Sequence, residues 1–232
     1  MEIKNYEYKT EPYQHQRDVL ETSAYKNLYA LFLEMGLGKS KILLDNLAIL
    51  FKQDEVSGAV IVAPKGVLSN WSENEIARHL PDDIERNVLV WQSNHTQRWT
   101  KAEEDSTGKL NILLVNVEAF ATTKGCQHVE EFLNTHNCMF VIDESTTIKN
   151  PKAKRTKNLI KLAPLADYRR ILTGFPITKA PLDLYSQCFF LSPTLLGFSS
   201  YYSFRARYAM TQRKFLGGHS FDHIVGYQRL DE

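Results

Sequence analysis

Gly36-Leu37-Gly38-Lys39-Ser40 connects an apolar run of strand length, residues 28–33, to a helical pattern over residues 39–51. Glycines at such a junction let the backbone turn tightly and point its N–H groups at phosphates, and the start of the helix adds its dipole. A lysine ammonium can then reach the terminal phosphates, and a serine hydroxyl can ligate Mg²⁺. The stretch therefore predicts a phosphate-binding loop, although Leu33 stands where the longer pattern G-x-x-x-x-G-K-[ST] has its first glycine.

A second pattern supplies the carboxylates that a nucleotide site needs. The apolar run Met139-Phe140-Val141-Ile142 is followed directly by Asp143 and Glu144. Because the carboxyl ends of parallel strands meet at one edge of a sheet, these acids are expected beside the phosphate-binding loop. Asp143 would hold Mg²⁺ and Glu144 would orient the attacking water. Taken alone, the pair could be two surface acids; together with the loop it favours nucleotide hydrolysis.

Apolar runs of strand length alternate with amphipathic stretches along the chain. Strands are predicted at residues 28–33, 59–63, 88–91, 110–117, 139–142 and 170–172. Helices are predicted at residues 39–51, 68–79, 127–135, 152–162, 182–190 and 201–210. Runs such as Val60-Ile61-Val62 are apolar on both faces, as central parallel strands covered on each side should be. We therefore expect an α/β fold, a mainly parallel sheet with helices on both faces, and an exposed loop at residues 93–108.

Composition limits the class of protein. The 232 residues contain 28 Lys and Arg against 27 Asp and Glu, and 43% of them are hydrophobic, which is typical of one globular domain. The three cysteines form no C-x-x-C pair, which favours buried small side chains in a reducing, cytoplasmic setting. The N-terminus lacks the apolar run of a secretory signal. The uncharged stretch 184–204 contains Pro193 and Gly197, so we interpret it as buried helix and loop and expect no membrane span.

Ordered motifs between Pro12 and about Leu184 resemble the Swi/Snf-type branch of the superfamily 2 helicases and translocases. They are, in chain order, Pro12-Tyr13-Gln14-His15-Gln16-Arg17; Glu34-Met35-Gly36-Leu37-Gly38-Lys39-Ser40, similar to D-E-M-G-L-G-K-T; Ile61-Val62-Ala63-Pro64-Lys65 with Asn70-Trp71, similar to P-x-x-L-x-x-N-W; Asp143-Glu144-Ser145-Thr146, similar to D-E-A-H; Ile148-Lys149-Asn150-Pro151, similar to R-I-K-N-P; and Leu172-Thr173-Gly174-Phe175-Pro176-Ile177, similar to L-T-G-T-P-I. Their order and spacing fit one lobe of the family.

Three positions depart from the family pattern. Leu33 replaces the aspartate before the glutamate, Thr146 replaces the histidine of D-E-A-H, and Phe175 replaces a threonine. The histidine position normally helps to link the nucleotide state to the third motif, so we expect the coupling to be tuned differently here. Hydrolysis should survive, because the residues that resemble the catalytic set are intact: Lys39, Ser40, Asp143 and Glu144.

The resemblance implies a RecA-like ATP-binding lobe of a motor driven by ATP and Mg²⁺. It assigns catalysis to Lys39, Asp143 and Glu144, and magnesium to Ser40 and Asp143. It assigns nucleotide binding to Met35, Gly36, Leu37, Gly38, Lys39 and Ser40, with Gln16 for the base. A glutamine amide matches the donor and acceptor pair of adenine. Gln16 aligns better than Gln14, which remains the second choice, and either could be a solvated side chain.

The resemblance also implies DNA, most simply duplex, as the partner. The matching contact positions are Lys65, Lys149 and Asn150, which would hold phosphates and therefore read no sequence. Thr173 and Gly174 are the matching coupling positions. Residues 149–179 contain nine Lys or Arg against one acid, which predicts either a solvated helix face or a surface that follows phosphates. The DNA assignment favours the second interpretation.

The family's second RecA-like lobe, with its Q-x-x-G-R-x-x-R motif, is absent from these residues. We therefore expect residues 1–232 to be the first lobe of a protein roughly twice as long that uses ATP to move along DNA. One alternative is a nucleic-acid-binding regulatory module that keeps the nucleotide pocket without turnover. Another is a kinase for small molecules, against which the Asp143-Glu144 and Leu172-Thr173-Gly174 segments argue. His219 and His223 are spaced like part of a metal site, but we interpret them as loop histidines.

Overall fold

The structure is a computed structural model that describes residue 3, residues 6–93 and residues 108–231. Its helices are α1 Gln14–Ser23, α2 Lys39–Lys52, α3 Leu68–Asn70, α4 Ile76–His79, α5 Thr123–Thr135, α6 Lys154–Leu162, α7 Leu184–Leu191 and α8 Tyr201–Tyr208. Its strands are β1 Leu28–Phe32, β2 Gly58–Ala63, β3 Arg86–Val90, β4 Leu110–Asn116, β5 Cys138–Asp143, β6 Tyr168–Thr173, β7 Ala209–Leu216 and β8 His219–Tyr227. Except for its two end residues, the loop predicted at residues 93–108 lies outside the described residues.

The first six strands form one parallel sheet in the order β1-β6-β5-β2-β4-β3. Their carboxyl ends therefore lie along one edge, where Phe32 pairs with Thr173 and Asp143 pairs with Leu172. Parallel sheets need crossover connections that cover their faces, which explains the alternation of strands and helices in the sequence. This edge carries the loop after each strand and is the natural place for a site.

Buried side chains of each central strand alternate between two cores. On β2, Ala59 and Ile61 belong to the core that contains α2, whereas Val60 and Val62 belong to the core beneath α5 and α6. All of β2 is buried, so the sheet is covered on both faces. The predicted α/β fold, a mainly parallel sheet with helices on both faces, is confirmed.

The predicted strands of this sheet are all present, and the predicted helices differ mainly at their ends. The helix predicted at 68–79 is continuous but contains a π-helical segment, Trp71–Glu75, between α3 and α4. The helix predicted at 201–210 ends at Tyr208, because Ala209 begins a strand. The helix α1 was not predicted. The interpretation of His219 and His223 as loop residues is wrong, since both lie on β8, and the described residues contain no cluster of His, Cys, Asp and Glu that could hold a metal ion.

Strands β7 and β8 form a separate antiparallel hairpin. It is attached through a small third core of Ala180, Leu182, Tyr185, Phe204 and Ala209, which lies beyond the carboxyl edge of β6. Within the described ranges, no helix has the length and the apolar character needed to cross a membrane.

Cysteine burial follows the sequence prediction in part. Cys138 and Cys188 are buried, whereas Cys126 is half-buried, and all three are free thiols. Burial raises the pKa of Cys188 to about 11, so this thiol remains protonated at neutral pH. Buried, protonated cysteines of this kind act as small apolar side chains.

Candidate nucleotide and DNA site

The loop after β1 has the shape expected of a phosphate-binding loop. Gly36 and Gly38 have φ values of 83° and 76°, in the left-handed region that side chains other than glycine rarely adopt. Gly38 is also the N-cap of α2, so the free N–H groups of that helix open towards the loop. A Cβ at Gly38 would lie 2.2 Å from Nε2 of Gln16, so a larger residue at this position would also clash with the Gln16 side chain.

The ammonium of Lys39 lies within this loop. Its Nζ donates to the carbonyl oxygens of Leu33 at 3.0 Å and Glu34 at 3.2 Å. These two carbonyls hold the ammonium beside the loop. A terminal phosphate could replace them as the hydrogen-bond acceptor. The exchange would be favourable, because a phosphate oxygen carries a full charge and a carbonyl only a dipole.

The Asp143 carboxylate is held from two sides. The indole N–H of Trp71 donates to Oδ2 at 3.0 Å, and the backbone N–H of Glu144 donates to Oδ1 at 3.1 Å. Trp71 is 1% exposed and stands at the start of the π-helical segment. The two bonds fix the plane of the carboxylate at the carboxyl end of β5.

Burial raises the pKa of the Asp143 carboxyl, and the neighbouring charge of Glu144 raises it further. The hydrogen bonds from Trp71 and from the Glu144 N–H, together with the Lys39 charge, oppose this rise without cancelling it. A cation that approaches this buried carboxyl group would therefore stabilise its ionised form.

The Glu144 side chain connects the acidic pair to β6. Its backbone is left-handed, with φ of 51°, which is unusual for a residue with a side chain and turns the chain sharply after β5. Its Oε2 accepts a hydrogen bond of 3.1 Å from the Thr173 hydroxyl, which in turn accepts one from the Phe175 N–H. Gly174 lies so close to the phosphate-binding loop that a Cβ there would be 3.4 Å from the Met35 nitrogen. The predicted coupling residues therefore contact both the acid and the loop.

A cleft of about 510 Å³ joins these parts. The predicted site residues along its wall are Gln16, Met35, Gly36, Gly38, Lys39, Ser40, Asp143 and Glu144. Leu37 is not on the wall; its carbonyl oxygen instead accepts a hydrogen bond from Gln16 Nε2 at 3.2 Å. The structure thus brings together nearly all of the predicted nucleotide residues, which are far apart in the chain.

Of the two candidate glutamines, only Gln16 lies in the cleft. It is 5% exposed, and its Oε1 accepts a hydrogen bond from the Tyr13 N–H at the start of α1. Gln14 is exposed and donates to Asp18 on its own helix. The amide of Gln16 is thus already bonded at both ends, so adenine recognition would require it to exchange one of these partners.

The residues that face the cleft fit Mg²⁺. Ser40 offers a hydroxyl oxygen and Asp143 a carboxylate, and hard oxygen ligands of this kind are those that Mg²⁺ uses beside nucleotide phosphates. Each Asp143 oxygen accepts one hydrogen bond, and a carboxylate has about four acceptor positions, so both oxygens can still accept another partner.

The predicted DNA residues lie outside this cleft, on other loops of the same edge. Lys65 is exposed two residues after the end of β2, and Asn150 is exposed with its side chain bonded to the Lys152 N–H. The Lys149 ammonium is bonded to the Thr178 hydroxyl and lies 3.8 Å from the Asp183 carboxylate. Lys149 therefore has internal partners that a DNA phosphate would have to replace or join.

The basic stretch 149–179 does not form one continuous surface. Arg170 is 1% exposed, and its guanidinium donates to Asn46 Oδ1 and to the carbonyls of Ser23 and Asn27. Arg169 pairs with Leu28 at the opposite edge of the sheet. The interpretation of the whole stretch as a phosphate-following surface is therefore wrong for these two arginines, because charge pattern alone does not report burial.

Several residues of the cleft were not assigned by sequence. Thr10, Tyr13, Glu75, Arg78 and His79 also line it, and the Thr10 hydroxyl lies 2.7 Å from His79 Nδ1. Trp71 and Tyr13 belong to quoted motifs, and these motifs are the available signal, although they do not predict the bond from Trp71 to Asp143. No local pattern marks Thr10, Glu75, Arg78 or His79.

A buried glutamine ties the acidic loop to the next helix. Gln187, on α7, accepts from the Ser145 hydroxyl at 2.6 Å and donates to the carbonyls of Pro176 and Asp183 at 2.7 Å each. It is fully buried. One buried amide thus connects the segments after β5 and β6, so a movement of either segment would disturb the other.

Comparison with known proteins agrees with this geometry. The family model of the SNF2-related domain matches residues 21–219. The chain is 30% identical over 165 residues to "Helicase SWR1" of Cryptococcus neoformans, covering 71% of this chain and 12% of that protein. It is 28% identical over 164 residues to "ATP-dependent helicase fft2" of Schizosaccharomyces pombe, covering 70% of this chain and 12% of that protein. The chain therefore spans only a small part of these curated relatives.

Among solved structures, the fold resembles the Sulfolobus solfataricus SWI2/SNF2 ATPase core in complex with dsDNA. The TM-score is 0.69 and the identity 28%, covering 88% of this chain and 40% of that one. The six-stranded parallel sheet is accordingly the RecA-like fold of such a core. The family model covers most of the chain, and on that ground the chain belongs to the SNF2-related domain family.

Proposed function

We propose that this chain is the first RecA-like lobe of a DNA-dependent ATPase that uses ATP hydrolysis to move along duplex DNA. The observation that carries the proposal is the single cleft in which the Lys39 loop faces the Asp143-Glu144 pair. Relatives named as ATP-dependent helicases, and a solved relative bound to dsDNA, support the assignment of ATP and of DNA. A DNA substrate would place the activity inside the cell.

The proposed mechanism gives each residue one task. Lys39 exchanges the Leu33 and Glu34 carbonyls for the terminal phosphates of ATP. Ser40 and Asp143 would hold Mg²⁺, which would supply positive charge to the phosphates. Glu144 orients the attacking water and accepts its proton. Because Glu144 also accepts a hydrogen bond from Thr173, its position responds to the loop after β6.

A second lobe is part of the proposal. In two-lobed motors the nucleotide lies between the lobes, and the opposite wall supplies arginines to the γ-phosphate. Arg78 lines the present cleft, but it belongs to the same lobe as the Lys39 loop and not to an opposite wall. A missing arginine finger costs roughly 10³ to 10⁵ in turnover. We therefore expect the 232-residue chain alone to bind ATP weakly and to hydrolyse it slowly, with or without DNA.

The test compares steady-state ATP hydrolysis by this chain with that of a version extended by a second lobe, each with and without duplex DNA. DNA-stimulated turnover only in the extended protein is the expected result. Equal DNA-stimulated rates would show that one lobe is complete. DNA binding without any stimulated turnover in the extended protein would favour the regulatory module instead.

DNA binding itself is tested by charge reversal. Lys65→Glu should weaken the binding of duplexes of unrelated sequence to a similar degree, because a phosphate contact reads no base. Lys161→Glu is the matched control, since Lys161 is exposed at the end of α6, which leads back to the opposite edge of the sheet. Equal effects of the two substitutions would refute a contact at the carboxyl edge.

A further inference from the structure

The hairpin of β7 and β8 extends from the lobe as an exposed arm. Gly217 and Gly218 join the strands with φ values of 56° and 81°, as a two-residue turn with two left-handed positions requires. The residues at 211–215 and 217–223 are exposed. Eight residues of strand span about 27 Å, so the arm is longer than a duplex is wide. A two-stranded hairpin is only marginally stable alone, so this arm depends on the packing of its base against the lobe.

The cross-strand register sorts the side chains of the arm onto two faces. One face carries the pairs Gln212 with His223 and Lys214 with Phe221, together with His219; we call it the Lys214 face. The other face carries Arg213 opposite Asp222, and the Arg213 guanidinium donates to Ser220 Oγ at 3.1 Å. The single carboxylate of the described arm, Asp222, is thus on the second face. The Lys214 face combines a cation, two imidazoles and an exposed aromatic ring without any acid.

The base of the arm is fixed beside the predicted DNA surface. Ile224 and Tyr227 of β8 pack against the third core, which contains Ala180 and Leu182. These two residues follow Thr178, whose hydroxyl bonds to the Lys149 ammonium. The Arg205 guanidinium on α8 donates to the Asp222 carbonyl at 3.1 Å and holds the arm to its helix. The arm therefore begins at the carboxyl edge of the sheet, next to Lys149.

We propose that the Lys214 face of the arm is an additional DNA contact that continues the surface of Lys65 and Lys149 along the phosphate backbone of the duplex. The proposal rests on the proposed function and adds to it an element outside the sheet. A face with Lys214, a neighbouring aromatic ring and no carboxylate complements a polyanion and offers no acid to pair with the lysine of a second copy. Its contacts would be with phosphates, so they would extend the footprint without adding sequence preference.

The test uses two neighbouring positions that differ in face and not in charge. Lys214→Ala should reduce the slope of log K against log salt for duplex DNA by about 1, the loss of one phosphate contact. Arg213→Ala removes the same charge from the opposite face and should leave the slope unchanged. Both positions are exposed, so both variants should keep the wild-type melting temperature. Equal slopes for Lys214→Ala and the wild type would overturn the proposal, and so would an equal loss in both variants.

A second measurement does not depend on affinity. Gln212→Cys and Thr211→Cys place a thiol on the Lys214 face and on the opposite face, respectively, and duplex DNA with a thiol tethered to a phosphate can trap either as a disulfide. Preferential trapping of Gln212→Cys is expected; no trapping, or equal trapping at both positions, would refute the contact. The native Cys126, Cys138 and Cys188 give the background level.

Two controls separate this inference from its premise. If Lys65→Glu weakens DNA binding while Lys214→Ala does not, the proposed function stands and the arm contact falls. If neither variant changes DNA binding, the contact at the carboxyl edge and the arm contact both fall, whereas the proposed function itself is decided by DNA-stimulated ATP hydrolysis. Sedimentation that shows self-association lost in Lys214→Ala, with unchanged DNA binding, would assign the arm to a second copy of the chain and overturn the DNA contact.

Discussion

Trp71→Phe tests the least expected contact of the site. The substitution keeps an aromatic ring at a position that is 1% exposed and removes the N–H that donates to Asp143 Oδ2 at 3.0 Å. Asp143 would then keep only its bond from the Glu144 N–H, and the carboxylate could rotate about that single anchor. Since this hydrogen bond opposes the rise in the Asp143 pKa, removing it should raise that pKa further.

The substitution should change two quantities, the stability of the fold and the affinity for Mg²⁺. A hydrogen bond to a charged group contributes about 1.5–3 kcal/mol net. Loss of a partner that orients a metal ligand typically lowers metal affinity by about 10- to 100-fold, which corresponds to about 1.4–2.7 kcal/mol. If the same bond is lost from the folded state, the melting temperature should fall by about 3–12 °C, because each kcal/mol shifts a chain of this size by about 2–4 °C.

The assay titrates Mg²⁺ against a fluorescent ATP analogue bound to the protein, and repeats the titration with EDTA. Trp71→Phe should need about 10- to 100-fold more Mg²⁺ for half-saturation, with binding in EDTA nearly unchanged. Trp91→Phe is the matched control, because Trp91 is half-buried at the end of β3, away from the cleft. A folded Trp71→Phe protein with the wild-type Mg²⁺ dependence, or with binding in EDTA reduced by the same factor, would show that Trp71 does not orient a magnesium ligand.

Three further predictions address the loop, the acid and the core beside them. Lys39→Ala should abolish nucleotide binding yet lower the melting temperature by only a few degrees, because the two bonds of the ammonium to carbonyls are partly exposed; a collapsed melting curve would contradict this. Glu144→Gln should bind and trap ATP but hydrolyse it slowly in single-turnover experiments, since the amide oxygen can still accept from Thr173 but cannot take a proton; a normal rate would exclude Glu144 as the catalytic carboxylate. Burial raises the pKa of Asp45 to about 6 despite its ion pair with Lys41, whereas an aspartate in the unfolded chain titrates near 4. Because the folded state holds this proton more tightly, the free energy of unfolding should fall as the pH rises from about 4 to 6. That slope, measured by urea unfolding, should disappear in the Lys41→Met/Asp45→Leu double variant, and its persistence would show that another group titrates.

Local sequence predicted the sheet well because each of its strands carries its own apolar pattern. Residues 59–63 and 110–115 are buried on both sides, and such runs can be recognised one at a time. The hairpin of β7 and β8 is not predicted, for the opposite reason, since its strands are largely exposed and carry no apolar run. The helical pattern extends over Ala209 and Met210, and His219 and His223 are interpreted as loop residues. The pair Gly217-Gly218 was the signal that could have predicted the hairpin.

The sequence by itself determined the chemistry of the site: a glycine loop with Lys39 and Ser40, and an acidic pair at the end of a strand. Those assignments depend on neighbours in the chain, where spacing fixes geometry. Only the tertiary structure decided that Trp71 holds Asp143, 72 positions away, and that Arg170 is buried among carbonyls instead of facing DNA. Contacts of this range depend on how the strands are ordered in the sheet, and a charge or an indole carries no local mark of which neighbour the fold will bring to it.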